Sequence, residues 1–257
     1  MNQTLERLQE IEKNGYQIDF GNVFNHAFEN YKKIALYAGS VIVIFSILFL
    51  VFAAFSLVSI IGVSEMTKEL SSGQLKIEKL IQTNILAVGI ISIIISCLLS
   101  PFQAAFLKMA DHGDRDESFP VSSLFSFYKL PYMIEIMIAT FLITVISFAQ
   151  NTLMTYIKFE FLGLIINYFI SFITLFTIPL IIFGNIKALD AIKYSIQIIF
   201  KQPIVLLGLI IVAIIGSLIG FMACCVGVFF TIPFIYSMNY AIYSAIIGID
   251  TPIKNEY

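Results

Sequence analysis

Six apolar runs, each about as long as a helix that crosses a bilayer, leave this chain few folds to adopt. They fall at residues 34–63, 84–107, 132–154, 161–183, 203–223 and 226–248. About 20 apolar residues in a helix span the hydrocarbon, so each run is long enough to cross. The polar residues cannot rescue a water-soluble alternative. Only 12 % of the chain is charged against 59 % hydrophobic, whereas a soluble domain carries about 25 % charge. Mean hydropathy is +0.92. The expected fold is all-α: a polytopic membrane bundle of six transmembrane helices.

Proline punctuates alternate runs. Phe176-Thr177-Ile178-Pro179 recurs as Phe230-Thr231-Ile232-Pro233, and a looser copy is Leu98-Leu99-Ser100-Pro101-Phe102. Inside a helix, proline removes one backbone hydrogen bond and crowds the preceding turn. A nearby hydroxyl can take up the freed carbonyl. Ser100, Thr177 and Thr231 stand one or two residues from Pro101, Pro179 and Pro233. The three prolines are therefore expected to mark equivalent kinks.

Amphipathic stretches precede the odd-numbered spans. In 22–33, Val23, Phe24, Ala27, Phe28 and Tyr31 share one helical face. In 121–128 the apolar set is Val121, Leu124, Phe125 and Tyr128, and in 185–201 it is Ile186, Leu189, Ile192, Ile196 and Ile199. Such faces suit helices lying in the membrane interface. The pattern predicts three hairpin-like repeats, each an interface helix, a membrane helix and a membrane helix with proline. A short surface helix, carrying Leu5, Leu8 and Ile11 on one side and stopped by Gly15, comes first. The domain reading is a cytoplasmic amphipathic segment at 1–33, a six-helix membrane domain at 34–248 and a tail at 249–257.

Orientation follows from Lys and Arg in short loops. Eleven (Arg7, Lys13, Lys32, Lys33, Lys108, Arg115, Lys129, Lys187, Lys193, Lys201 and Lys254) fall on one side, against Lys68, Lys76, Lys79 and Lys158 on the other. Both termini and the amphipathic segments are expected in the cytoplasm, with the chain in a bacterial inner membrane. The first apolar run begins too far along the chain for a cleavable signal peptide.

Chemistry-bearing patterns are scarce. The two histidines, His26 and His112, are far apart in sequence, and neither a zinc-protease, a nucleophile-elbow nor a phosphate-loop motif occurs. A net charge of -2 offers no basic face for nucleic acid. Cys97, Cys224 and Cys225 lie in or beside apolar runs and read as packing residues. The acidic stretch 111–117, with Asp111, His112, Asp114, Asp116 and Glu117, lacks the spacing of a calcium loop and reads as a solvated loop. No catalytic residue, cofactor or metal is expected.

Polar residues inside the spans are the candidate site. Glu135 lies one turn inside the third span, where a carboxylate must face protein or water. It would either couple a proton or cation, or reach the surface and pair with a lysine such as Lys129 or Lys187. Asn167 and Asn239 read as interhelical hydrogen-bonding groups, while Gln150 and Asn151 sit near the outer end of the third span. Gly208, Gly216 and Gly220 form a close-packing row on the fifth span, within the chain or against a second copy.

With its six spans, the Phe125-centred segment after a polar loop and the 188–243 region, the chain resembles a loose group of uncharacterised bacterial membrane families. These are related to the membrane domain found before the catalytic barrel of some glycerophosphodiester phosphodiesterases. No such barrel follows the sixth span here, so the resemblance implies a membrane domain without that activity. A carotene-oxygenase assignment, sometimes attached to such proteins, would need four histidines for its iron. The expected role is a non-enzymatic scaffold or accessory protein that contacts membrane lipid and a protein partner or a second copy. The alternative is a small transporter that uses Glu135 and the kinked helices.

Overall fold

A computed structural model describes residues 3–61, 85–222 and 226–249, with side chains except those of 52–61 and Ala87. The expected 64–83 loop, Cys224-Cys225 and the tail from Asp250 onward lie outside the described residues. Those described are helical, with no strand among them. The helices are α1 Gln3–Asn14, α2 Phe20–Ile61, α3 Ile85–Asp114, α4 Tyr132–Tyr156, α5 Glu160–Ile173, α6 Thr177–Ile182, α7 Ala188–Lys201, α8 Pro203–Leu218, α9 Gly227–Thr231 and α10 Pro233–Ile246. Two 3-10 helices, Val121–Tyr128 and Ile219–Met222, complete the set.

Five stretches are long and apolar enough to cross a membrane: Phe20–Val51, Val88–Asp114, Tyr132–Tyr156, Glu160–Ile182 and Pro203–Met222. Their outer faces carry large apolar side chains in the open, such as Leu36 at 76 %, Phe161 at 78 % and Ile204 at 85 % exposure. A surface of that kind is stable only against lipid. The chain is a multi-pass membrane protein.

The sixth run differs from the others. It is broken at Ile232 into α9 and α10, because Pro233 has no N–H to continue the ladder and begins a new helix. α10 is largely enclosed, with Phe234, Ser237, Met238, Tyr240 and Tyr243 all buried. It lies against α2, α3 and α8. A helix lined with tyrosines, serines and asparagine is suited to a protein interior, where those groups find partners. The buried residues of α10 face these neighbours rather than lipid.

The amphipathic segments also depart from expectation. Nothing in the sequence between Lys33 and Ile34 breaks a helix, and 22–33 runs straight into the first span as part of α2. Asp19 caps its start, its Oδ1 accepting from the Asn22 amide at 2.7 Å. Val23, Ala27, Asn30, Ile34 and Ala38 form one buried stripe across the expected boundary, while Phe28 is exposed. The second segment is a 3-10 helix that buries Leu124 and Phe127, not Val121 or Phe125. Only the third, α7, is a separate α-helix, and it buries Ala188, Ala191, Ser195, Ile198 and Ile199 while Leu189 is exposed.

α1 ends at Gly15, whose φ of +73° is the left-handed turn glycine permits. It docks on α7: Lys201 Nζ donates to the Glu12 carbonyl at 2.7 Å, and the Tyr16 hydroxyl donates to the Ile198 carbonyl at 3.0 Å. Burial pushes the Tyr16 phenol up, so it stays a donor. Arg7 Nε donates to the Ile246 carbonyl at 3.1 Å, closing the C-terminal end of α10. One end of the bundle is thus covered by α1, α7 and the 121–128 helix.

Candidate functional site

Glu135 has a structural partner. Its Oε2 accepts from the Ala188 amide at 2.8 Å. Ala188 is the first residue of α7, so the carboxylate closes the positive end of that helix from a neighbouring one. Among the described residues it forms no ion pair with Lys129 or Lys187, the partners expected for it. Tyr132, one turn earlier, donates to Asn185 Oδ1 at 2.6 Å and fixes the same junction.

The three prolines are served in three ways. Pro101 stays inside continuous α3, and Ser100 Oγ donates to the freed Cys97 carbonyl at 2.8 Å. Pro179 follows a break at 174–176, and its freed carbonyl, Leu175 O, is met by Asn239 Nδ2 at 3.5 Å. The expected donor, Thr177, makes no hydrogen bond through its buried hydroxyl. The carbonyls three and four residues earlier each have one partner: Thr174 O accepts from the Thr177 amide at 3.0 Å and Ile173 O from Ser195 Oγ at 2.9 Å. At Pro233, Thr231 Oγ1 donates across to the Ser217 carbonyl at 2.5 Å instead of serving Phe229 O. The prolines therefore do not mark equivalent kinks.

The remaining sequence candidates are dispersed. Asn167 is half-buried on α5 and makes no side-chain hydrogen bond among the described residues. Gln150 Nε2, near the outer end of the third span, donates to the Gly163 carbonyl at 3.3 Å. The glycine row faces this chain: a Cβ at Gly208 would meet Phe20 at 3.4 Å, one at Gly216 would meet Phe234 at 2.8 Å, and one at Gly220 would meet the Val228 amide at 2.5 Å.

The acidic stretch holds what sequence reasoning missed. α3 continues to Asp114, so Asp111 lies on a helix, 1 % exposed, rather than in a solvated loop. Lys108 Nζ reaches its Oδ2 at 2.5 Å and Arg115 Nε its Oδ1 at 2.9 Å. Tyr240 of α10 donates to Asp114 Oδ2 at 3.0 Å and lies 3.3 Å from Asp111 Oδ1. His26 Nε2 of α2 is 2.7 Å from Asp114 Oδ1. One turn deeper, buried Asn30 donates to the Ala110 carbonyl at 2.6 Å and accepts from Ser237 Oγ at 2.8 Å. The three helices are pinned by this polar knot. Its signal was the spacing of Lys108, Asp111 and Arg115, an ion-pair ladder for a helix that persists past the apolar run. No group of three His, Cys, Asp or Glu side chains is placed to hold a metal ion among the described residues.

Two cavities open within the apolar part. A cleft of about 750 Å³ between α2, α3 and the last run is lined by Ile42, Phe45, Leu48, Phe102 and Phe106 with few polar atoms. A second cavity of about 440 Å³ lies among α3, α4, α6 and α10, and its wall includes Ser96, Thr140, Thr144, Thr177 and Asn239. Leu99, Gln103 and Tyr236 line both. Thr140 lies eight residues into α4, about 12 Å along it at 1.5 Å per residue, which places the second cavity near mid-depth. No protein-family model, curated protein or solved structure matches this chain.

Proposed function

We propose that this is a non-enzymatic inner-membrane scaffold or accessory protein whose working ligand is membrane lipid. The observation that carries the reading is the 750 Å³ cleft, apolar along α2 and α3 and of the size that takes an acyl chain. The fixed polar knot and the capped end of α7 support a static bundle. Glu135 lines neither cavity, so a proton path through it finds no support in the geometry. The transporter reading keeps one specific observation in its favour, the polar cavity beside the cleft.

In this proposal the broken run 226–248 completes a sixth crossing, the spans pair as three hairpins related to the membrane-domain families, and both termini face the cytoplasm. The basic residues at the α1–α7 end support that orientation. A protein partner or second copy would meet the outer faces, since the Gly208–Gly220 row is used within the chain.

Native mass spectrometry of the chain released from bacterial membranes tests the lipid reading. Bound lipid is expected, and Ser46→Trp, which fills the cleft from its wall, should lower its retention without changing thermal stability. A wild-type protein that carries no lipid would overturn it.

A further inference from the structure

We infer that the apolar cleft is a binding site for a neutral ring ketone on an apolar chain, the chemistry of a membrane quinone. Gln103 carries the inference. It stands on α3, is exposed, and lines the cleft where this meets the second cavity. Its amide makes no hydrogen bond among the described residues. Hydrocarbon offers such a group no partner, whereas a ligand in the cleft can. Depth decides the kind of ligand. Lys33 and Asp116 pair at 2.7 Å where the apolar part of α2 begins, and a Cβ at Gly113 would meet Ile34. Gln103 lies ten residues inward of Gly113, about 15 Å at 1.5 Å per residue. Phe45 and Phe102, each eleven residues inward of that contact, keep the same register with ring centroids 4.4 Å apart. The hydrocarbon is about 30 Å thick, so the amide lies near its middle. Phospholipid esters stay with their headgroups at the boundary and do not reach it.

The lining sets the rest of the chemistry. No Asp, Glu, Lys, Arg or His lines the cleft, and an ionised ligand at this depth would be unpaired. The Gln103 amide donates, and a carbonyl is the neutral group that accepts. Five of the twelve lining residues are aromatic: Phe45, Phe49, Phe102, Phe106 and Tyr236. Phe106 and Tyr236 are stacked, with centroids 5.0 Å apart. Such walls suit a flat ring. Ser46 and Tyr236 bring the other polar groups of the cleft, both hydroxyls able to donate. A quinone carries carbonyls on opposite edges of its ring, so a second donor has no need to stand beside Gln103. At about 750 Å³ the cleft has room for the ring and part of its chain. The inference rests on the lipid reading proposed above and names the class of lipid.

The experiment uses the full chain in phosphatidylcholine nanodiscs, with native mass spectrometry as readout. The probes are decylbenzoquinone and decylbenzene, which lacks the two carbonyls. Gln103→Leu removes an amide that bonds nothing in the protein, so thermal stability should hold. Retention of the quinone over decylbenzene is expected, reduced about fivefold in Gln103→Leu, the scale of one hydrogen bond. The infrared carbonyl band of isotope-labelled quinone should shift down on binding to the wild type and return in the variant. Equal retention of the two probes, or a quinone unaffected by Gln103→Leu, overturns the ketone site. Phosphatidylcholine retained without any quinone also overturns it and leaves the lipid cleft standing. If neither is retained, both readings fall. Gln103→Met, of similar length and without a donor, gives the same discrimination should Gln103→Leu fail to fold.

Discussion

The Glu135 carboxylate lies 2.8 Å from an amide that begins α7, and that contact defines what its substitution should do. Glu135→Gln keeps an acceptor oxygen and loses the charge facing the helix end, a change of about 0.3–1 kcal/mol. Glu135→Ala loses the bond as well, for about 1–2 kcal/mol in total. Thermal melting of the purified variants should rank wild type, Gln and Ala in that order; equal melting of all three would show that the cap contributes nothing. Tyr128 offers a test through pH. Its hydroxyl donates to the Leu98 carbonyl, and burial pushes the phenol from 10.0 up to about 12. A folded value raised above the unfolded one means that the stabilisation is complete below pH 10.0 and is lost as pH rises toward about 12. Stability of the wild type should fall across that window more steeply than that of Tyr128→Phe; parallel curves would dismiss the contact.

Elements here are repaired from outside. The break at 174–176 leaves backbone groups with no helical partner, and one serine on another helix closes it. Ser195 Oγ accepts from the Phe176 amide at 3.0 Å and donates to the Ile173 carbonyl at 2.9 Å. Ser195 is fully buried. Ser195→Ala strands a buried donor and a buried acceptor at once, at about 1–3 kcal/mol each. Ser195→Cys, of similar size and weaker hydrogen bonding, should fall between the two in thermal melting. If Ser195→Ala melts with the wild type, the break is closed by something other than this hydroxyl. α3 needs no such help, because Ser100 repairs its own turn. That contrast is why one proline sits inside a continuous helix and another beside a break.

For the whole molecule the polar knot sets how α2, α3 and α10 meet. Asp111→Asn removes the charge shared by Lys108 and Arg115. Breaking a fully buried pair costs about 3–5 kcal/mol, and about 2–3 is expected here because both cations reach water. Melting should drop by several degrees and cysteine cross-links between α2 and α10 should weaken; unchanged melting would mean that apolar packing alone holds the three helices. The orientation proposed from the basic residues is tested by reporter fusions at Gln74 and Tyr257. Activity of a periplasmic reporter at Gln74 and of a cytoplasmic one at Tyr257 is expected. A periplasmic signal from Tyr257 would reverse it.

Hydropathy is local, so the all-helical membrane class and the long apolar helices could be read from the chain in order, while a kink was expected at Pro233 where the helix breaks. The extent of α2 was less legible, since an amphipathic stretch and a span differ in sequence but share one uninterrupted backbone. Partnership between helices was not legible. Asp111 looked like loop because Tyr240, which encloses it from α10, lies 129 residues after it in the chain. Thr177 looked like the donor for its own proline, whereas the carbonyl that Pro179 frees is met by Asn239 of another helix. Where a polar side chain near lipid finds its hydrogen bond depends on which helix stands beside it. Only packing decides that, because in hydrocarbon there is no water to supply the partner instead.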